Sequence, residues 1–112
     1  MKHARELYRD ITRRKLWVRL DAGGLEVGPY DLIDGAFLAQ LRAHKTELIQ
    51  YLESPVYARA QLHTARQVVA GEFDGADTAT REILIVSLSA ISHPDAGRAV
   101  ARLEAHGKKQ HR

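Results

Sequence analysis

The sequence contains no cysteine, few aromatic residues and no long apolar segment. The absence of cysteine excludes disulfides, thiolate catalysis, cysteine-ligated zinc and iron–sulfur clusters, and it fits a reducing compartment. No apolar run approaches the roughly 20 residues needed to cross a bilayer, and the first residues lack the apolar stretch of a secretory signal. We therefore expect a cytoplasmic protein whose core is built mainly from aliphatic side chains.

The composition is that of one small globular domain. The 112 residues are 45% hydrophobic and 28% charged, which allows a modest core. The net charge of +3 is unevenly distributed, because residues 1–15 hold six basic and two acidic side chains and residues 98–112 hold five basic and one acidic. Two basic ends and an acidic middle are compatible with an anionic partner, and equally with solvated helix faces.

The first part of the chain predicts a helix followed by a β-hairpin. Apolar residues within residues 4–15 follow the i, i+3, i+4, i+7 spacing of an amphipathic helix. Residues 16–20 then alternate in polarity, and residues 25–27 resume the alternation after a short turn that contains Gly23 and Gly24. This hairpin is the clearest supersecondary signal in the sequence.

Further helices are predicted after the hairpin. They are expected over residues 34–53, 54–70, 78–92 and 95–106. Asp34 and Ser54 are suitable N-caps for the first two. The apolar run 83–86 could also be a buried strand, but leucines continue a helical stripe and no hairpin partner follows, so we favour a helix. Residues 108–112 are expected to form a disordered basic tail.

Several short motifs follow one another between residues 16 and 52. They are Leu16-Trp17-Val18, the Gly23-Gly24 turn, Leu25 and Val27, and Leu41-Arg42-Ala43-His44-Lys45 leading into Glu47-Leu48 and Leu52. In this order they resemble the N-terminal docking domain of the tubulysin synthetase type, found at the head of subunits in hybrid nonribosomal peptide and polyketide assembly lines. The resemblance covers about residues 4–53.

The resemblance implies a small αββαα fold, commonly homodimeric, whose exposed hairpin receives a short, often acidic, C-terminal peptide of the preceding subunit. It also implies that basic side chains near the hairpin select the partner, with Arg19 as a candidate charge reader and Lys45 as a signature residue of the following helix. We therefore expect an α+β fold in which a docking-type unit of helix, β-hairpin and helices, residues 1–53, is extended by a helical segment, residues 54–107.

The hairpin favours a binding role on physical grounds as well. A lone two-stranded sheet is marginally stable and leaves unpaired backbone groups at its edges, which a peptide or a second copy can pair with. We therefore predict a non-catalytic docking or adaptor module that binds a partner protein, a short acidic peptide or a second copy. The candidate binding residues are Trp17, Val18, Arg19, Leu20, Leu25, Glu26 and Val27. The hairpin could instead serve only to cap the helical core.

Alternation along the first strand predicts which side chains are available. If Leu16, Val18 and Leu20 face the helices, Trp17 and Arg19 point outward and form the centre of the recognition surface. The competing possibility is that later helices cover Trp17 and make it part of the core.

Lys45 lies within the apolar stripe of the helix predicted over residues 34–53, between Leu41 and Leu48. We expect its methylene groups to lie along the edge of the core and its ammonium group to reach water or a carboxylate.

Nucleic-acid binding is the alternative that the sequence leaves open. Arg98 and Arg102 lie four residues apart on the last predicted helix, which leads into Lys108 and Lys109, and such a row could lie along phosphates. Against it, no aromatic residue interleaves with these charges and no base-reading Asn or Gln joins the arginines on that face.

No catalytic or metal pattern stands out. The six histidines include no pair at the i, i+4 spacing of a helical metal site. Ser92, His93 and Asp95 are too close in sequence to present a nucleophile, a base and an orienting carboxylate in line. We therefore expect no enzymatic activity, no metal and no cofactor.

Overall fold

The computed structural model describes residues 4–21 and 24–110, the last three as backbone only. Over these residues the chain forms six α-helices and one antiparallel pair of strands, so the predicted α+β class is confirmed. The elements are α1 (Ala4–Arg13), β1 (Trp17–Asp21), β2 (Gly24–Gly28), a 3-10 turn (Tyr30–Leu32), α2 (Gly35–Ala43), α3 (Lys45–Leu52), α4 (Pro55–Val69), α5 (Thr78–Ser89) and α6 (Pro94–Gln110). Within the described part of the chain, no helix has both the length and the apolar composition that a membrane span requires.

Helix α1 ends in a left-handed turn that leads directly into the hairpin. Lys15 has a φ of 63°, its N–H donates to the Thr12 carbonyl at 3.0 Å, and the Leu16 N–H donates to the Ile11 carbonyl at 3.1 Å. These two bonds form the Schellman motif, which satisfies carbonyls at the end of a helix. Its apolar members, Ile11 and Leu16, are both fully buried. The motif therefore ends α1 and at the same time places two apolar side chains in the core.

The predicted hairpin is present, and one edge of its second strand is open. Trp17 lies opposite Gly28, and Arg19 lies opposite Glu26. The predicted role of Gly23 in the turn lies outside the described residues. Among the described residues, β2 pairs only with β1. The other edge of β2 therefore pairs with no described strand.

The single helix predicted over residues 34–53 is instead two helices. His44 separates α2 from α3 with a φ of −113° and a ψ of 20°. Asp34 caps α2 as predicted, because its side chain accepts from the Phe37 N–H at 2.7 Å. Leu41 and Leu48 still belong to the same buried cluster, so the apolar stripe continues across the break. Neither proline nor glycine marks the break, and for that reason periodicity missed it.

Near the C-terminus the structure decides one ambiguity and corrects one boundary. The apolar run 83–86 lies inside α5, so the helical interpretation is confirmed. Helix α6 continues to Gln110, so the prediction of a disordered tail is wrong for residues 108–110, and residues 111 and 112 lie outside the described residues. Gly107 does not end the helix. A Cβ at Gly107 would lie 3.0 Å from Nε of the buried Arg81, so glycine at this position lets the Arg81 side chain approach α6 closely.

Buried side chains form two clusters, and α4 contributes to both. The first cluster comprises Leu7, Ile11, Leu16, Val18, Phe37, Leu41, Leu48, Leu52 and Tyr57. The second comprises Ala65, Val68, Leu84, Leu88, Ala99 and Leu103. Tyr57 from α4 belongs to the first cluster, and Ile91 after α5 packs against it. Residues beyond 53 therefore complete the core beneath the hairpin.

Three tyrosines meet where α1, α3 and α4 come together. The rings of Tyr8, Tyr51 and Tyr57 lie pairwise 5.3 to 5.7 Å apart in tilted or edge-on arrangements. The Tyr8 hydroxyl lies 3.3 Å from Ser87 Oγ and accepts a hydrogen bond from Gln61 Nε2 at 3.4 Å. Burial is the main cause that raises the pKa of Tyr57 above its ordinary value of 10.0, and the neighbouring Tyr8 raises it further.

This raised pKa predicts a loss of stability at high pH. The unfolded chain releases the Tyr57 proton near pH 10.0, whereas the folded chain retains it to higher pH. The stabilisation is therefore complete below that pH and declines above it. We expect Tyr57→Phe to lose less free energy of unfolding than the parent protein on raising the pH from about 9 to 11, by about 1.4 kcal/mol. Urea denaturation across this range measures the difference, and equal losses would contradict the prediction.

Candidate functional site

The outward face of the hairpin carries Trp17, which α5 partly covers. Trp17 is half-buried, and its Nε1 donates to Glu82 Oε1 of α5 at 3.1 Å. Its ring crosses β2 at Gly28, where an added Cβ would lie 2.3 Å from Cζ2 of the indole. Trp17 thus belongs to neither buried cluster and is not fully exposed, a state between the two alternatives that the sequence left open.

Arg19 is already engaged by a neighbouring carboxylate. Its Nε and Nη2 donate to both oxygens of Glu26 on the paired strand at 3.0 to 3.2 Å. Its guanidinium carbon also lies 5.3 Å from the centre of the Trp17 ring, within the range of a cation–π contact. The side chain predicted to read a partner's charge is therefore bound within the hairpin.

The structure separates the other predicted hairpin residues. Val18 is fully buried, so its side chain cannot reach a partner. Leu20, predicted to face the helices, is 39% exposed, and burial declines along β1 from Val18 to Asp21. Leu25 and Val27 are half-buried and, with Glu26, line a groove.

This groove, of about 450 Å³, runs along the open edge of β2. It is lined by Leu25, Glu26, Val27, Tyr30, Ile33, Leu38, Leu41, Arg42 and Lys45. Successive side chains of a strand point to opposite faces, so a groove on one face is lined by alternate residues. Three consecutive residues of β2 line this groove, which therefore lies at the edge of the strand. No described residue of β1 lines it. We call it the β2 groove.

The β2 groove combines an apolar floor with a basic side. Arg42 and Lys45 are exposed, and neither forms an ion pair with a described residue. A Cβ at Gly24 would lie 3.3 Å from Lys45 Nζ, so the ammonium group reaches the hairpin near its tip. Lys45 is the first residue of α3, and its exposed side chain lines the groove together with Leu41.

Six residues that line the β2 groove were not among the binding residues predicted from the sequence. They are Tyr30, Ile33, Leu38, Leu41, Arg42 and Lys45. Tyr30 carried one available signal, because it is a large side chain directly after Gly28-Pro29 in a turn, and it is 74% exposed. Arg42 lies in the motif Leu41-Arg42-Ala43-His44-Lys45, but only the packing of α2 beside β2 brings it to the groove.

The two arginines proposed for nucleic-acid contact are paired with carboxylates. Arg102 donates to both oxygens of Asp74 at 2.6 and 2.8 Å, and Arg98 pairs with Asp95 at 2.9 Å. The hydrogen bond from Arg102 to Asp74 raises the pKa of the guanidinium further. The side chains of Lys108 and Lys109 lie outside the described residues. The described part of this row therefore offers a phosphate little unpaired charge.

No group of three or more histidine, aspartate or glutamate side chains that could hold a metal ion occurs in the described ranges. Comparisons of the chain with protein-family models, curated proteins and solved structures found no match.

Proposed function

We propose that this protein is a non-catalytic interaction module that binds a short acidic peptide in the β2 groove. The observation that carries the proposal is the meeting, over an apolar floor, of a strand edge that no described strand pairs with and two cations, Arg42 and Lys45, that form no ion pair with a described residue. The peptide adds a third strand to the hairpin, so its main chain pairs with β2. Alternate side chains then enter the groove, and acidic ones meet the basic side.

Strand addition suits this hairpin because a peptide would supply hydrogen-bond partners to the backbone groups at the edge of β2. The backbone groups at a free strand edge bind only water, whereas a peptide supplies a full ladder of hydrogen bonds. The five residues of β2 offer a ladder of about 17 Å, which matches a peptide of about the same length. Leu25 and Val27, both half-buried, would lose further water on binding.

A second copy of the chain is the alternative occupant, and charge argues against it. Two copies that paired through their β2 edges would bring both sets of Arg42 and Lys45 near one interface. Like charges in an interface oppose association, whereas carboxylates on a foreign peptide attract the same groups. The charge of the β2 groove therefore favours an acidic peptide over self-association.

The proposal predicts which peptides the protein selects. From a displayed library of random short peptides, we expect sequences that alternate apolar and acidic residues. Arg42→Glu with Lys45→Glu should weaken the best selected peptide at least about tenfold, because both favourable contacts become repulsive. Fluorescence anisotropy with the labelled peptide measures the change.

The matched control is Arg59→Glu, which reverses an exposed charge on α4 that does not line the β2 groove. It should leave peptide affinity within about twofold, apart from a small long-range effect that salt screens. Selection of no peptide, or equal losses in the groove variant and the control, would refute the proposed function. Self-association that the groove variant abolishes would assign the site to a second copy.

A further inference from the structure

We propose that Arg19 sets the charge selectivity of the β2 groove through Glu26, without contacting the partner. This inference rests on the proposed function, since it concerns the same groove. Arg19 is thus a positioning residue, and the direct charge-reading role that the sequence suggested belongs to Arg42 and Lys45.

Glu26 is the one acidic side chain among the described residues that line the β2 groove. It stands between Leu25 and Val27 on the strand edge that a peptide would pair with. An unneutralised carboxylate there would repel an acidic peptide and would attract Arg42 and Lys45. A groove for acidic peptides therefore needs this charge balanced.

Arg19 balances the charge of Glu26 through a bidentate ion pair. Its guanidinium meets both carboxylate oxygens of Glu26 at 3.0 to 3.2 Å. The two residues lie directly opposite each other in the hairpin, so backbone pairing itself presents one to the other. A bidentate pair fixes the orientation of the carboxylate as well as its charge.

The position of Arg19 is supported by the second half of the chain. Glu82 of α5 accepts a hydrogen bond from Trp17, and the Trp17 ring lies beside the Arg19 guanidinium. Gly28 leaves room for the ring to cross β2. The sequence of contacts Glu82, Trp17, Arg19, Glu26 therefore links α5 to the edge of the β2 groove.

The proposal predicts that removing the charge of Glu26 restores peptide affinity to a variant that lacks Arg19. Arg19→Met releases Glu26, and we expect it to weaken an acidic peptide selected from the random library roughly two- to fivefold, the scale of an exposed ion pair. Glu26→Gln alone should bind as tightly as the parent protein or more tightly. Arg19→Met combined with Glu26→Gln should recover the affinity of Glu26→Gln, since the released charge no longer exists.

The test measures binding isotherms of four full-length proteins, each at low and at raised salt. They are the parent protein, Arg19→Met, Glu26→Gln and the double variant. Arg66→Met serves as the control, because it breaks another exposed ion pair, with Asp95, away from the groove, and should leave affinity unchanged. If Arg19→Met and the double variant are equally weak, Arg19 contacts the peptide directly and the inference is overturned while the proposed function stands. If the library yields no peptide that depends on Arg42 and Lys45, the proposed function and this inference are both overturned.

Discussion

Leu16→Ala is expected to lower the free energy of unfolding by about 2–5 kcal/mol, the largest single effect that we predict. Leu16 is 0% exposed and belongs to the buried cluster beneath the hairpin. Truncation removes its transfer free energy and leaves a cavity that the neighbours fill only in part. It also removes the apolar contact that accompanies the Schellman motif after α1, so the left-handed turn at Lys15 loses support.

Urea denaturation followed by far-ultraviolet circular dichroism measures this effect. The matched control is Leu20→Ala, four residues later in the same alternating segment. Leu20 is 39% exposed, so we expect a loss below about 1 kcal/mol. Comparable losses for the two variants would contradict the structure at the hairpin tip and would return Leu20 to the inward-facing set predicted from alternation.

Gly28→Ala is expected to cost about 1–3 kcal/mol, because the added methyl group has no space. A Cβ at this position would lie 2.3 to 2.8 Å from three atoms of the Trp17 ring. The indole must therefore shift away from β2, which places its hydrogen bond to Glu82 at risk. Overpacking here acts on the contact that joins α5 to the hairpin.

Intrinsic fluorescence reports this shift directly, since Trp17 is the only tryptophan. We expect a changed emission maximum together with reduced stability. Gly97→Ala is the control, because a Cβ at Gly97 in α6 meets nothing within 4 Å, and alanine there should stabilise the protein by about 0.4–1 kcal/mol. An unchanged emission spectrum in a fully stable Gly28→Ala variant would refute the placement of the indole over Gly28.

Only a third of the candidate site was predictable from the sequence, because most of its residues come together through contacts between distant parts of the chain. Leu25, Glu26 and Val27 followed from strand alternation, which is a local pattern. Tyr30 and Arg42 reach the same groove from the 3-10 turn and from α2, and no spacing rule connects them to β2. The engagement of Arg19 depends on the cross-strand register, which sets Glu26 opposite it.

The placement of Trp17 also depends partly on a local pattern and partly on a contact distant in sequence. Alternation with Leu16 and Val18 directs it away from the core, and the structure agrees. Its cover comes from Glu82, separated from it by 65 residues of sequence. A single sequence records that both residues exist, but their meeting depends on how α5 packs against β1.

The sequence by itself determined the hairpin, the caps at Asp34 and Ser54, and the α+β class, because each depends on periodicity or on hydrogen bonds between near neighbours. Tertiary structure decided the break at His44, the extension of α6 through Gly107 and the open edge of β2 beside Arg42 and Lys45. These features depend on which helix faces meet and on which backbone groups remain unpaired. Such contacts join residues distant in sequence, and local propensity carries no information about them.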